Sequence, residues 1–466
     1  MRKILLRAAI GAISLFPLGS VIAQDADAAD VEEVNDEEAG EEDEDSSGGE
    51  EALKFSTKIS GELQTFSAAG KQDLSFGKDH GYFATSGNIL FNPTVVVGAC
   101  TIGGNIGFGA DASSGQQCAT GISESFLSFS GWFGEFQFGN QCSAADEMSI
   151  DGTAVLGGQE GAAGAISSLF NVSGGVLLQT GASGDDGIAT KLIYLSPVWS
   201  LKKCGTLQVA ISYTPNSQLV GMLQNITHIN YLYHGATYNQ KGNLLYDIDA
   251  SGMRAEIGES HSKKNPANLP DQNTDLSSGA FFVDGVTGAI VYNYGSDEAF
   301  NFAFAVCGWY GKGKAQIPTL RVRDLTAYQV GSTIGYKQWK LALGFTDNLK
   351  SLMNKTCNDS NGIKDGANMG KVFTVGLAWE HGPWKASAGY FHSVKKYAEK
   401  DDQAKAQVAT LALDYKFMEG VSVFGEFDWI KTIGRSTGEK RSWVQATSAF
   451  ADNKGWLLFA GAKINF

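Results

Sequence analysis

The last twelve residues, Gly455 to Phe466 (GWLLFAGAKINF), constrain what this chain can fold into more than any other stretch. Side chains alternate faces along a β-strand, so Trp456, Leu458, Ala460, Ala462, Ile464 and Phe466 form one continuous apolar face. Leu457, Phe459, Gly461, Lys463 and Asn465 form a more mixed one. The chain then stops on an aromatic. In a water-soluble protein a free apolar strand edge invites aggregation. Closing a membrane barrel suits the same strand, with its apolar face in lipid and the terminal aromatic at the interface. The alternative, the last strand of a soluble sandwich, must also account for the rest of the chain.

The rest alternates in the same way, and in pairs. Phe373, Val375, Leu377 and Trp379 run to Glu380-His381-Gly382-Pro383, and Trp384, Ala386, Ala388 and Tyr390 return. Leu411, Leu413, Tyr415 and Phe417 turn at Met418-Glu419-Gly420 into Val421, Val423, Gly425, Phe427 and Trp429. Similar hairpins are read at 83–110, 122–141, 190–214, 281–309 and 326–347, besides those within 372–394 and 407–431. Within each hairpin the turn is tight, whereas the links between hairpins are long, polar and rich in glycine. The chain's 58 Gly and 8 Pro fit that pattern. Short turns at one end, long loops at the other and an apolar outer face describe a transmembrane antiparallel β-barrel. An opening strand near 55–66 and the closing strand bring the count to 16. The ambiguous region 215–280 is read as a long outer loop, and a further hairpin there would make 18. A barrel of this width encloses a water-filled lumen.

Two segments precede the barrel, which is read as 53–466. Residues 1–23 have the form of a secretory signal peptide, with Arg2, Lys3 and Arg7, an apolar run and Val21-Ile22-Ala23 before the cut. Residues 24–52 form an acidic tail with 15 Asp or Glu between Asp25 and Glu51 and no Lys or Arg. Such a run cannot bury enough apolar surface to offset its ordering entropy. It also carries the net charge of −14, leaving the barrel itself near neutrality. The tail could bind divalent cations, contact peptidoglycan-associated proteins or sit near the pore mouth, or it could be a solvated spacer. Six cysteines in an exported chain permit disulfides. Cys118–Cys142 is the bridge the strand order favours, because both would lie at the outer ends of adjacent strands. No metal site is read, because no cysteines stand in a CxxC pair and no histidines cluster with them.

Glu124 to Gln141 (ESFLSFSGWFGEFQFGNQ) resembles a hairpin of the general Gram-negative outer-membrane porins, and Thr190 to Pro197 (TKLIYLSP) is similar to the strand that follows it there. Residues 142–187 then occupy the place of that family's third loop. The resemblance implies a homotrimer of 16-stranded barrels in the bacterial outer membrane, each with this loop folded inward to narrow the pore. It implies that Asp146, Glu147, Asp151 and Glu160 of the loop line the constriction, with Asp185 and Asp186 on its return. The loop has no Lys or Arg. Lys58, Glu62, Glu124, Gln137 and Lys191 are the wall residues expected to face it. Where the family often has wall arginines, this chain has Ser123, Asn140 and Ile193. An acidic ring with few opposing cations favours cations.

The expected function is passive diffusion of small hydrophilic solutes and ions through that channel. The alternatives are a substrate-selective channel and a structural or adhesive surface barrel. The aromatic track or arginine ladder of a selective channel is not evident: Trp132, Trp309 and Phe424 face inward by parity but are scattered. No enzyme is expected, because the six His are dispersed and no GxSxG, HExxH or phosphate-binding loop occurs. No cofactor and no nucleic-acid partner are expected. The partners are outer-membrane lipid, further copies of the chain and the solutes.

Overall fold

The computed structural model describes residues 54–73, 81–113, 119–164, 166–170, 177–182, 188–217, 237–238, 244–248, 254–256, 280–296, 300–315, 322–352, 368–396, 403–434 and 452–466. The expected signal peptide, 1–23, and the acidic segment 24–52 lie outside these residues.

Sixteen strands cross the barrel: β1 (Lys54–Gln72), β2 (Tyr82–Val97), β3 (Cys100–Ser113), β4 (Ala119–Gly131), β5 (Gly134–Gln141), β6 (Ala189–Leu195), β7 (Thr206–Asn216), β8 (Ala280–Ser296), β9 (Phe300–Ala315), β10 (Leu325–Tyr336), β11 (Trp339–Asp347), β12 (Asn368–His381), β13 (Trp384–Lys396), β14 (Gln403–Met418), β15 (Val421–Ile433) and β16 (Asn453–Asn465). Each pairs antiparallel with the next in sequence. The last strand returns to the first, with Glu62 opposite Asn465 and Gln72 opposite Gly455. Gly61 and Phe466 exchange two backbone hydrogen bonds at the seam, so the terminal residue helps close the barrel. The two-residue strand Trp199–Ser200 only extends the foot of β7. Three short strands between β7 and β8, within 237–256, form their own small sheet and leave the number of spanning strands at 16. Strands about 4.8 Å apart and tilted about 40° then give a diameter of about 30 Å.

The pattern of period two decides which side chains meet lipid. Phe55, Ile59 and Leu63 of β1, Leu411 and Leu413 of β14, and Trp456, Leu458 and Ile464 of β16 are exposed on the outside. Their neighbours at the intervening positions point inward. Aromatics gather beside the tight turns, among them Tyr294, Tyr336, Trp339, Trp384 and Phe417, as a membrane interface requires. The turns use the backbone that two-residue hairpins demand: Gly382 and Gly420 have φ of 57° and 74°. Trp132 corrects the parity expectation. It is 84% exposed, at the β4–β5 turn, because alternation ends at Gly131. Trp309 and Phe424 do face inward and are buried.

Candidate functional site

The feature that shapes the lumen is the link between β5 and β6. It does not extend away from the barrel but runs along the inner wall, from β7 round to β1. Its first turn, a short helix α1 (Ala144–Glu147), donates the Ala144 and Ala145 amides to Ser212 Oγ at 3.2 Å and Thr287 Oγ1 at 3.4 Å. Further on, Gly152 N donates to Thr374 Oγ1 at 2.7 Å and Gly157 N to Ser387 Oγ at 2.9 Å. Beneath these polar contacts the wall is apolar where the loop is apolar. Ala144, Ala145, Met148 and Ile150 pack with Val291, Trp309 and Leu325. Ile166, Leu169 and Phe170 pack with Phe391, Phe424 and Phe459. Inward apolar residues would be out of place in a water-filled lumen, and the loop is what covers them.

Two wall carboxyls grip the loop's middle, and a third supports them. Asp414 accepts from Gly158 N at 3.0 Å, and the two oxygens of Glu426 accept from Gln159 N at 2.6 Å and Gly161 N at 3.2 Å. Asp428 braces the group, accepting from Thr410 Oγ1 at 2.6 Å. Glycine is needed for this approach. A Cβ on Gly157 would lie 1.7 Å from Asp414 Oδ2, and Gly158 has φ of +63°. On the wall, a Cβ on Gly376 would lie 2.0 Å from Gly152 O. Glu160, between the two clamped amides, has φ of 63°, a conformation that costs a residue with a side chain about 1–2 kcal/mol.

The acidic residues expected on the loop divide into two pairs. Asp146 and Asp151 are engaged within the loop itself: Asp146 Oδ2 accepts from the Ser143 hydroxyl at 3.0 Å, and Asp151 Oδ1 accepts from Thr153 N at 2.6 Å. Glu147 and Glu160 have more electrostatic consequence. Burial pushes Glu147 up to about 8; the Glu124 and Glu135 carboxyls add to the rise, and Lys191 opposes it. Burial likewise pushes Glu160 up to about 7, opposed by Lys463 and Lys385 and reinforced by Asp151 and Glu62. Asp185 and Asp186 lie outside the described residues.

The expected wall residues have different fates. Glu62 faces the lumen near Glu160. Glu124 does so on β4, where Asn105 Nδ2 donates to it at 3.0 Å. Gln137 faces inward and is buried, donating to Glu135 Oε1 at 3.0 Å. Lys191 points inward but is only 1% exposed, its ammonium donating to Gln141 O at 2.9 Å beneath the loop's root. It therefore acts on Glu147 from under the loop and not across open water. Lys58 lies six residues nearer the tight-turn end than Gln64, the β1 residue that Gln159 of the loop touches at 3.1 Å. That is about 20 Å along the strand, so Lys58 belongs to the rim. Asn140, expected to occupy a wall position, is bonded to Thr190 on the outer face of β5, whereas Ile193 is buried beneath the loop. Cys118 lies outside the described residues, and Cys142 is a free thiol.

The sequence reading missed the residues that serve the loop from the far half of the wall. Lys385 donates to Leu156 O at 3.1 Å, and Lys463 lies beside Glu160 and Glu62. Glu426, Asp414 and Lys463 were all on inward faces by alternation, which was the available signal.

A sequence profile of Gram-negative porins matches residues 26–434. The chain belongs to the Gram-negative porin family. It is an outer-membrane porin, and its barrel is a channel. No curated protein matches its sequence. Solved structures share the porin's fold at low identity. An anion-selective porin from Comamonas acidovorans is 12% identical over 89% of this chain and 100% of that one, with a TM-score of 0.50. The outer-membrane channel DcaP of Acinetobacter baumannii is 12% identical over 88% and 97%, also at 0.50. OmpF of Salmonella typhi, solved with daunomycin, is 13% identical over 88% and 97%, at 0.50.

Proposed function

We propose that this porin passes small hydrophilic solutes and ions by passive diffusion, with a weak preference for cations, and that it works as a homotrimer. One observation carries the ionic preference. Between Lys78 and Lys191 the sequence contains no Lys or Arg, and that interval supplies β2 to β5 and the inward loop. The loop and the wall facing it therefore present Glu124, Glu135, Glu147 and Glu160 without a basic residue of their own. Lys385 and Lys463 stand on the wall behind the loop and lessen the negative field without reversing it. A ring of one sign in a narrow aqueous passage concentrates the opposite ion. The neighbour from Comamonas is described as anion-selective, so the shared fold leaves the sign of selectivity to side chains such as these.

The trimer rests on the family resemblance. Chemical cross-linking of the detergent-solubilised protein should give a ladder ending at three, and a strictly monomeric particle would remove that part of the reading. For the pore, the reversal potential in a KCl gradient should have the sign of cation flow, and a value near zero would sink the preference.

A further inference from the structure

We propose that the outward face of β12 to β16 and β1 binds, at its long-loop end, a phosphate-bearing glycolipid of the outer leaflet. Three observations carry this: a band of outward lysines, the depth at which it lies, and the lack of a protein counter-charge.

Period two along these strands puts Phe373, Leu411, Phe427 and Leu458 on the lipid face, where they are exposed. The same parity turns one lysine outward on each strand: Lys371, Lys396, Lys405, Lys431, Lys454 and Lys71. None stands in the middle of the apolar band. Lys371 precedes His381 by ten positions, and Lys431 follows Val421 by ten. Lys396 follows Trp384 by twelve, Lys405 precedes Phe417 by twelve, and Lys454 precedes Phe466 by twelve. Over such a distance a strand tilted about 40° rises about 26–31 Å. The apolar band of a barrel is about 25 Å tall, so the lysines crown it on the side of the long loops, in the outer leaflet. Trp429 and Trp456, opposite each other and two positions below Lys431 and Lys454, mark the interface beneath them.

The band lacks an anion. Lys431 and Lys454 are opposite one another in the ladder, and like charges so placed repel. The outward positions of these six strands carry no Asp or Glu, and their other titratable side chains are His381, Tyr390, His392 and Tyr415. At the edges, Asp347 takes Lys371 at 3.1 Å, and Asp73 lies 3.7 Å from Lys454. Among the described residues Lys71, Lys396, Lys405 and Lys431 have no ion-pair partner.

A second copy of the barrel would not supply the missing charge. The outward carboxylates of the described strands are Asp284 and Asp347, and each already holds a lysine, Lys312 at 2.9 Å and Lys371. Lipid phosphates do supply it at this depth, and each basic residue near an anionic surface adds about a fivefold gain in binding. The spacing selects among lipids. Lys396, Lys405 and Lys431 are successive diagonal neighbours about 7–8 Å apart, and Lys454 continues the row. A row this long fits a headgroup with two phosphates better than one with a single phosphate.

The test titrates the detergent-purified porin with diphosphoryl lipid A and counts bound lipid by native mass spectrometry. K396Q/K405Q/K431Q should weaken binding at least tenfold, whereas K202Q/K203Q/K337Q, which removes as much charge at the tight-turn end, should leave it unchanged. For the native protein, removing the lipid's phosphates should weaken binding at least tenfold. Raising NaCl from 0.1 M to 1 M should also weaken it, because the screening length falls from about 10 Å to about 3 Å. These last two arms need no variant, so they decide the matter even if heat-modifiable migration shows that a triple variant has not folded. Binding that ignores the phosphates would overturn the proposal, as would equal weakening by the two triple variants. Phosphatidylglycerol bound as tightly as lipid A would overturn the choice of a glycolipid.

Discussion

Replacing Glu426 with Gln tests how the inward loop is held. The glutamate uses both oxygens, one for Gln159 N at 2.6 Å and one for Gly161 N at 3.2 Å. The amide has the same shape but one accepting oxygen, so one of the two loop N–H groups must face an NH2 donor instead. Glu426 is 1% exposed, so water does not replace the lost partner at once. A buried donor left unsatisfied costs about 1–3 kcal/mol. E426Q should therefore raise the population of the detached loop by about 5- to 150-fold, since 1.4 kcal/mol is about a factor of ten. Released backbone around Glu160 should become open to protease, and single-channel records should show added noise and excursions to larger conductance. The barrel should persist, because Glu426 is not part of its ladder through its side chain. Heat-modifiable migration in detergent checks that separately. Glu426→Ala should go further, leaving both amides without partners. If both variants have an unaltered protease pattern and quiet, wild-type conductance, the clamp is not what seats the loop.

Further outcomes follow from the same geometry. Glu147 and Glu160, raised from the ordinary value near 4.5 to about 8 and about 7, are mostly neutral at pH 6 and ionised at pH 9, so cation preference should increase across that interval. A flat selectivity profile would refute their placement. The linked effect on stability has the opposite sense: the folded state binds these protons more tightly than the unfolded state, so their contribution falls as pH rises from about 4.5 to about 8. Thermal unfolding in detergent should show the decline. Gly376→Val places a side chain where Gly152 O now sits and should push the loop into the lumen, lowering conductance while the barrel still folds. Leu411→Arg sets a charge on the lipid face, at a position 59% exposed, and should cost about 2–4 kcal/mol by equilibrium unfolding into bilayers.

The parts of the molecule written in local pattern were legible in the sequence. A period of two, a glycine or a two-residue turn, and the terminal Phe466 all act over a few residues, and the seven hairpins lie where alternation placed them. Even the glycines of the third loop, Gly157, Gly158 and Gly161, signalled backbone laid against a wall. What was not legible depends on contacts distant in sequence. Gln159 meets Glu426 across 267 residues, and Gly152 meets Thr374 across 222. Alternation put Glu426 and Lys463 on the inner face but could not say that the loop would arrive there. Lys191 shows the converse: its face was correct, but the loop's own root covers it. Lys58 was misjudged in height, because height depends on the register in which β1 meets β16.

The proposed cation preference places selectivity in an acidic inward loop, unopposed on the wall it faces. The direct measurement is the reversal potential of the purified porin in a KCl gradient, beside that of E147Q/E160Q, at pH 9, where both carboxyls are ionised. The expected result is a cation-sided potential for the native protein and a shift towards zero in the variant. An anion-sided potential, or a cation-sided one that the double substitution leaves unmoved, would contradict it.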